Sequence, residues 1–367
     1  MSAYADAMPF GEQARAFASL HEDRPTQPYV ANLDAGVHCI DAGPHLLPVT
    51  VSSPREGNAW VVSPATTYGR YAVEESERLA PRWARPPLRA ATAWATREMQ
   101  ATGLDRAVSV NNWLLSTNIY PPLEASMVET LRDRCIGRWP TSALWLRSLN
   151  RVQHGPWLDA LMAAGFQLIP TRQVYLFQDL RASRRSNLGR DLALMHRTAL
   201  EPVAHHDFLE ADFERSERLY AQLYLEKYSA LNPAYTARFL RAWHQAGLLR
   251  MQGWRDAAGQ LQAVVGIFSQ GDVSTAPIVG YDTGLPRSLG LYRLLMAQAF
   301  RHAIESRTVL NLSAGAGGFK RLRGGMPAIE YSAVHARHLP ARTRKFLWML
   351  HAVTSGFGVP LMKWMKL

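Results

Sequence analysis

Cysteine is nearly absent: the 367 residues contain only Cys39 and Cys135. Two cysteines exclude a disulfide framework, offer no metal-ligand spacing, and fit a reducing compartment. Long apolar runs are lacking too. A membrane-spanning helix needs roughly 18 or more apolar residues, and the best candidate, 346–362, is interrupted by His351, Thr354, Gly356, Gly358 and Pro360. The first residues show no basic stretch followed by an apolar one, so no secretory signal and a cytoplasmic location are expected. There is no H-E-x-x-H, phosphate-binding loop or G-x-S-x-G nucleophile motif. His205-His206-Asp207 lacks further ligands at metal spacing, so no metal is expected.

What is present is basic charge, unevenly placed. The formal net charge is +11, and 13 Lys and Arg lie from Arg287 onward against only Glu305 and Glu330. Residues 1–286 therefore balance, and the final quarter carries the whole excess. Such a distribution points to an anionic partner: a phosphorylated donor, tRNA, or an anionic membrane surface. Near the end, Trp348, Met349, Met362, Trp364 and Met365 among the basic residues read as an interfacial helix or as packing against the body.

The length suits two domains, and an apolar fraction of 47% suits a globular core. Short helices are expected at 12–20 and 88–102. Segments 37–41, 46–51 and 59–63 read as an antiparallel meander. Further expectations are a strand entering a polar turn at 107–116, a helix at 122–135, a strand at 143–149, a helix at 156–164, and strands at 166–170 and 173–177. A basic connector, 179–200, turns helical and places a boundary near 180. Helices at 207–228 and 234–246, a hairpin at 248–269 and a closing strand at 330–336 complete the reading. The order of elements from Leu144 to Phe177 repeats in outline that from Ile278 onward.

Residues 276–325 organise the second half. A strand over 276–281, a turn, a helix over 289–304 and a strand over 308–312 make a βαβ unit with a parallel pair. The turn reads Arg287-Ser288-Leu289-Gly290-Leu291-Tyr292. A helix N-terminus just past a strand presents free N–H groups and the positive end of the helix dipole to an anion such as a pyrophosphate. Gly290 permits close approach of the anion, and Arg287 adds charge.

Arg287-x-x-Gly290-x-Tyr292 resembles the acyl-donor signature of the GNAT acyltransferase superfamily, with Tyr292 departing from the usual Gly or Ala. Gly317-Gly318-Phe319-Lys320 and Gly324-Gly325 resemble the Phe-Lys and Gly-Gly pattern of the Fem-type peptidyltransferases, which are tandem GNAT proteins. Arg323 stands where that pattern often has Phe. The resemblance implies an α/β fold of two GNAT-like domains, each a central mixed sheet flanked by helices. They would be a degenerate 1–180 and a donor-binding 181–345, followed by a basic aromatic tail, 346–367.

The resemblance further implies transfer of an acyl group from acyl-CoA to an amine by direct attack. The acceptor would be a small molecule or a cell-envelope amine. An aminoacyl-tRNA-dependent transferase and a non-catalytic module with a relict donor site are the rivals. The donor carbonyl would lie where the two parallel strands splay. That makes Tyr281 or Asp282 a base or water-holder and Ser313 a hydrogen-bonding group. Phe319 and Lys320 would face the donor, Lys320 steadying a phosphate or the developing oxyanion, and Arg321 and Arg323 would reinforce the anion site. Lys320 also stands out as one of only five lysines against 36 arginines. Lys227, Tyr228 and Asn232 form a polar-aromatic cluster that could wall the acceptor. Asn111, Asn112 and Arg147 are polar residues at strand ends, Arg147 being a candidate for holding an acceptor carboxylate or phosphate.

Overall fold

The computed structural model describes residues 8–77, 81–180 and 187–365, with the side chain of Met365 excepted. Part of the connector (181–186) and Lys366 lie outside the described residues. The first half begins with α1 (Phe10–His21), β1 (Gly36–Ala42), β2 (His45–Ser52), a single turn α2 (Pro64–Thr66), α3 (Ala72–Glu77) and α4 (Arg85–Ala101). It continues with β3 (Ala107–Val110), α5 (Met127–Arg138), β4 (Ala143–Asn150), α6 (Arg151–Ala163) and β5 (Gln167–Phe177).

The second half comprises α7 (Asn187–Leu194), β6 (Glu201–Val203), α8 (Glu210–Tyr220), α9 (Ala237–Gln245), β7 (Arg250–Arg255), β8 (Leu261–Gln270) and β9 (Val273–Tyr281). After it come α10 (Leu291–Ser306), β10 (Val309–Asn311), α11 (Gly317–Arg321), β11 (Met326–His335), α12 (Ala341–Val353) and α13 (Val359–Met365). Among the described residues no helix is long and apolar enough to cross a membrane.

The fold is mixed α/β, with helices flanking the sheet and two halves of like topology. Their strands join into one eleven-stranded sheet, ordered β1-β2-β3-β4-β11-β5-β10-β9-β8-β7-β6. Each half has an antiparallel meander leading into a parallel pair: β3 beside β4, with α5 as crossover, and β9 beside β10, with α10. The closing strands are exchanged. β11 inserts between β4 and β5, antiparallel to both, and β5 pairs antiparallel with β10. The halves also share a core, in which Phe17 of α1 packs edge-on against Trp113 and Trp243.

Several local expectations change, each for a physical reason. Residues 59–63 are turn rather than strand: Trp60 is drawn to the second half, its Nε1 donating to Asn232 Oδ1 at 3.0 Å. The two strands expected at 166–177 are one, because β11 lies along its whole length, with a register irregularity opposite Pro170. The helix expected from Pro122 starts only at Met127, since Ser126 is left-handed (φ 57°) and breaks the run. α6 starts at Arg151, ahead of Pro156, because the Asn150 side chain caps it by accepting from the Gln153 N–H at 2.9 Å. α8 ends at Tyr220 in a π turn over 221–226. The repeat also begins one strand earlier than the sequence outline suggests, β3–α5–β4 corresponding to β9–α10–β10.

Candidate functional site

The site follows from one unequal pairing. β9 and β10 pair only from Val273 with Val309 to Thr275 with Asn311. Beyond that, β9 stays with β8 as far as Tyr281, whereas the chain after β10 turns toward β5, Leu312 N–H donating to Tyr175 O at 3.1 Å. Pro277 has no N–H to offer a ladder. The strands part, and the wedge between 276–281 and 312–316 is a cavity of about 250 Å³.

Small residues line its strand side: Ala276, Ser313, Ala314, Gly315 and Ala316. Aromatics close the rest, with Tyr220, Tyr224 and Tyr228 from α8 and the turn after it, Tyr281, Tyr292 from α10, and Trp60 and Tyr71 from the first half. α8 sits hard against β9 because Gly280 has no side chain: a Cβ there would lie 2.6 Å from the Tyr220 backbone nitrogen. Burial pushes the Tyr224 and Tyr292 phenols up, so both remain proton donors.

Among the described residues three charged side chains line this cavity: Glu75, Arg172 and Lys320. Lys320 is buried, and its Nζ donates to the carbonyls of Leu312 (2.7 Å), Ser313 (3.2 Å) and Ala314 (2.8 Å). Three acceptors match the three protons of an ammonium. Burial, aided by the charge of Arg172, pulls its pKa down to about 7. Arg172 Nε donates to Glu330 at 2.7 Å, and its guanidinium stacks 4.9 Å above the Trp60 ring.

A second cleft, of about 440 Å³, lies at the start of α10 and includes Lys227, Arg287, Gly290, Leu291 and Arg293. The helix opens two residues later than periodicity predicts, since Arg287–Leu289 is a 3₁₀ turn and Gly290 is left-handed at φ 64°. Helix geometry leaves the first-turn N–H groups without intrahelical partners. Tyr281 and Tyr292 line both the cleft and the cavity, their rings 6.4 Å apart.

The structure gathers most of the sequence candidates and disperses others. Tyr281, Ser313, Lys320, Tyr228, Asn232 and Tyr292 line the cavity. Arg287, Gly290, Leu291 and Lys227 line the cleft; Ser288 is exposed in its turn and Leu289 packs on the core beneath. Asp282 lies on the cleft side and does not reach the cavity. Its carboxylate accepts from Arg215 at 2.7 Å and from the Gly284 N–H at 2.9 Å. Burial raises its pKa, the Arg215 hydrogen bond outweighs that, and the carboxyl ends below its ordinary value, which makes it a poor base.

Arg323 does not reinforce the anion site: it is buried against Asp191 and lies 3.3 Å above the Phe319 ring. Phe319 packs edge-on against Tyr292, behind the cavity wall. Arg147 is buried one layer below, donating to Asn112 Oδ1 (3.2 Å) and Leu115 O (3.0 Å) beneath the Trp60 ring. Burial, helped by Arg172, draws its pKa down to about 10.

Sequence reasoning missed Trp60, Glu75 and Arg172, which come from a distant turn, a short helix and a strand, with no motif to mark them. Tyr220 and Tyr224 did carry a signal, since tyrosines at 220, 224 and 228 share one helical face. Among the described residues no group of three or more His, Cys, Asp or Glu could hold a metal.

A family model described as an acetyltransferase (GNAT) domain matches residues 178–321. No curated protein matches the chain in sequence. L-PGS from Bacillus licheniformis is similar in structure at 10% identity, with a TM-score of 0.51 over 95% of this chain and 98% of that one. FemX is similar at 7% identity, with a TM-score of 0.50 over 95% of this chain and 96% of that one. Residues 178–321 thus match the GNAT acetyltransferase model, and over nearly its whole length the chain shares the fold of FemX and L-PGS.

Proposed function

We propose that the protein transfers a short acyl group from acyl-CoA to an amine by direct attack, in the cavity beside Lys320. The observation that carries this reading is the junction of the two spaces. A cleft at a helix N-terminus, suited to a pyrophosphate, meets an aromatic cavity at Tyr281 and Tyr292, so one donor can occupy both. A cavity of about 250 Å³ leaves room for a short acyl chain and an amine.

In this scheme Glu75, the one carboxylate lining the cavity among the described residues, takes the ammonium proton of the acceptor. The amine nitrogen then bonds to the acyl carbon and the C–S bond breaks. The Lys320 ammonium and the 312–316 backbone it holds stabilise the oxyanion. The Tyr281 phenol, kept protonated by burial, supplies the thiolate's proton and regains one from the nitrogen as the amide forms. The acceptor is a small or cell-envelope amine, and a CoA donor places the reaction in the cytoplasm.

A second reading, aminoacyl transfer from tRNA, is favoured by Glu75 among aromatic rings, a setting that also suits the α-ammonium of an aminoacyl donor. Titration with acetyl-CoA, free CoA and mixed aminoacyl-tRNA separates the two. Saturable acetyl-CoA binding that free CoA displaces is expected. Binding of tRNA alone would move the assignment to the second reading, and binding of neither would leave a non-catalytic module. Glu75→Gln is expected to lower kcat/KM about 100-fold, as loss of a general base does, with acetyl-CoA affinity unchanged.

A further inference from the structure

The C-terminal helices carry a surface that the acyl-transfer chemistry does not use. Thirteen large apolar side chains are exposed among the described residues, and five of them lie between 348 and 364: Trp348 (63% exposed), Val353, Phe357 (78%), Leu361 and Trp364 (79%). Their concentration is what matters, since scattered exposed apolar residues are ordinary and a contiguous patch is not. The opposite face of α12 is accounted for. Thr343, Phe346, Leu347 and Leu350 are buried, and Trp94 of α4 packs edge-on against Phe346. The outer face is therefore an additional apolar stripe and not a displaced core.

The charge around the stripe is of one sign. Residues 331–367 contain six Lys and Arg and no Asp or Glu. Arg344 and Lys345 share one shallow hollow with Trp348, and Lys363 adjoins Trp364. Glu98, on the neighbouring α4, is taken up by Arg342 at 3.1 Å. α4 itself exposes Trp94, and Trp83 just precedes it at 79% exposure.

A second copy of this chain would bring the same positive charges together. An acidic protein would satisfy the charge but would leave the exposed tryptophan and phenylalanine rings without an apolar partner. A bilayer with anionic headgroups satisfies all of it at once. Tryptophan and phenylalanine settle at the headgroup level, the lysines and arginines meet lipid phosphates, and the helices lie in the interface plane.

We propose that the face formed by Trp348, Phe357, Leu361 and Trp364, with Arg344, Lys345 and Lys363, docks the protein on anionic lipid bilayers. The groove beside it, lined by Arg151, Val152, Arg321, Ile329 and Lys363, would then open along the membrane surface. Its Arg321 contacts the Tyr175 hydroxyl, one residue along the chain from Lys320.

The test is co-sedimentation of the full chain with vesicles of phosphatidylcholine alone or with phosphatidylglycerol, at low and physiological salt. Binding at least tenfold stronger to the anionic vesicles, weakened by salt, is expected. Lys345→Glu with Lys363→Glu should reduce it at least about thirtyfold, from two reversed charges near the surface. Phe357→Ser with Trp364→Ser should reduce it at least about tenfold. These side chains are exposed, so circular dichroism and acetyl-CoA affinity should match the parent, which separates this outcome from any failure of the acyl-transfer reading. Equal binding to both vesicles, binding to neither, or a sedimentation-velocity dimer that Phe357→Ser with Trp364→Ser dissociates would overturn the proposal, the last assigning the face to a second copy.

Discussion

The two halves place the same wedge at the end of a parallel strand pair, and only one is empty. In the first half β3 and β4 pair from Ala107 with Ala143 to Val110 with Leu146, and the space beyond is filled. Asn111, Asn112 and Trp113 are fully buried there, and Arg147 is pinned to Asn112 and Leu115. In the second half small residues and a short β10 leave the space open, and a buried lysine organises its edge. The helices that follow start alike, with left-handed Ser126 before α5 and left-handed Gly290 before α10. Backbone geometry is retained in both halves, and side-chain volume decides which one can take a ligand.

The largest effect should come from closing the open half's anion cradle. Gly290→Glu sets a carboxylate at the helix terminus, requires a non-glycine residue at φ 64°, and directs its Cβ to within 3.0 Å of Leu194. Acetyl-CoA affinity is expected to fall at least about 100-fold by titration calorimetry, and an unchanged affinity would remove the cradle from the mechanism.

Lys320→Ala should lower kcat at least about tenfold, within the range for loss of a charge at an oxyanion. The pH dependence gives the sharper test. With its pKa near 7, Lys320 loses its charge as pH rises, so the parent's kcat should decline above about pH 7. Lys320→Arg, always charged, should lack that decline. The linkage to stability has the opposite sign. Between about 7 and the ordinary lysine value the unfolded chain binds more protons, so this residue's unfavourable contribution diminishes as pH rises. Urea denaturation of parent and Lys320→Met at pH 6.5 and 9 should show the parent gaining on the variant at the higher pH.

Emptying the filled half should affect stability rather than chemistry. Arg147→Met strands the Asn112 and Leu115 acceptors and withdraws the cation from beneath Trp60, for a loss of about 2–4 kcal/mol by denaturant titration. A change in KM with stability intact would instead place Arg147 in the acceptor site. The smallest effect is expected for Asp282→Asn, whose carboxylate is committed to Arg215. A kcat within about threefold of the parent fits its position in the turn, whereas a 100-fold loss would restore it as the base.

How far the sequence could be read follows from the range of each interaction. The strand–turn–helix–strand of the second half was legible because period, turn chemistry and glycine placement are local. The turn at Arg287–Tyr292, proposed as an anion cradle, and the singular Lys320 came from the same few residues. Arg323 and Asp282 looked alike in kind but were claimed by Asp191 and Arg215, partners 132 and 67 residues away. Glu75, Arg172 and Trp60 were invisible because they reach the cavity only through the shared sheet.

By itself, the sequence determined the α/β class, the second βαβ unit with the glycine turn that opens its helix, and the basic apolar C-terminus, all properties of composition and short-range pattern. Only the tertiary structure decided that β5 and β11 exchange halves, that one wedge is plugged and the other open, and which side chains line it. Those outcomes depend on long-range pairing and close packing, where a strand's partner and a cavity's volume are fixed by the whole chain at once.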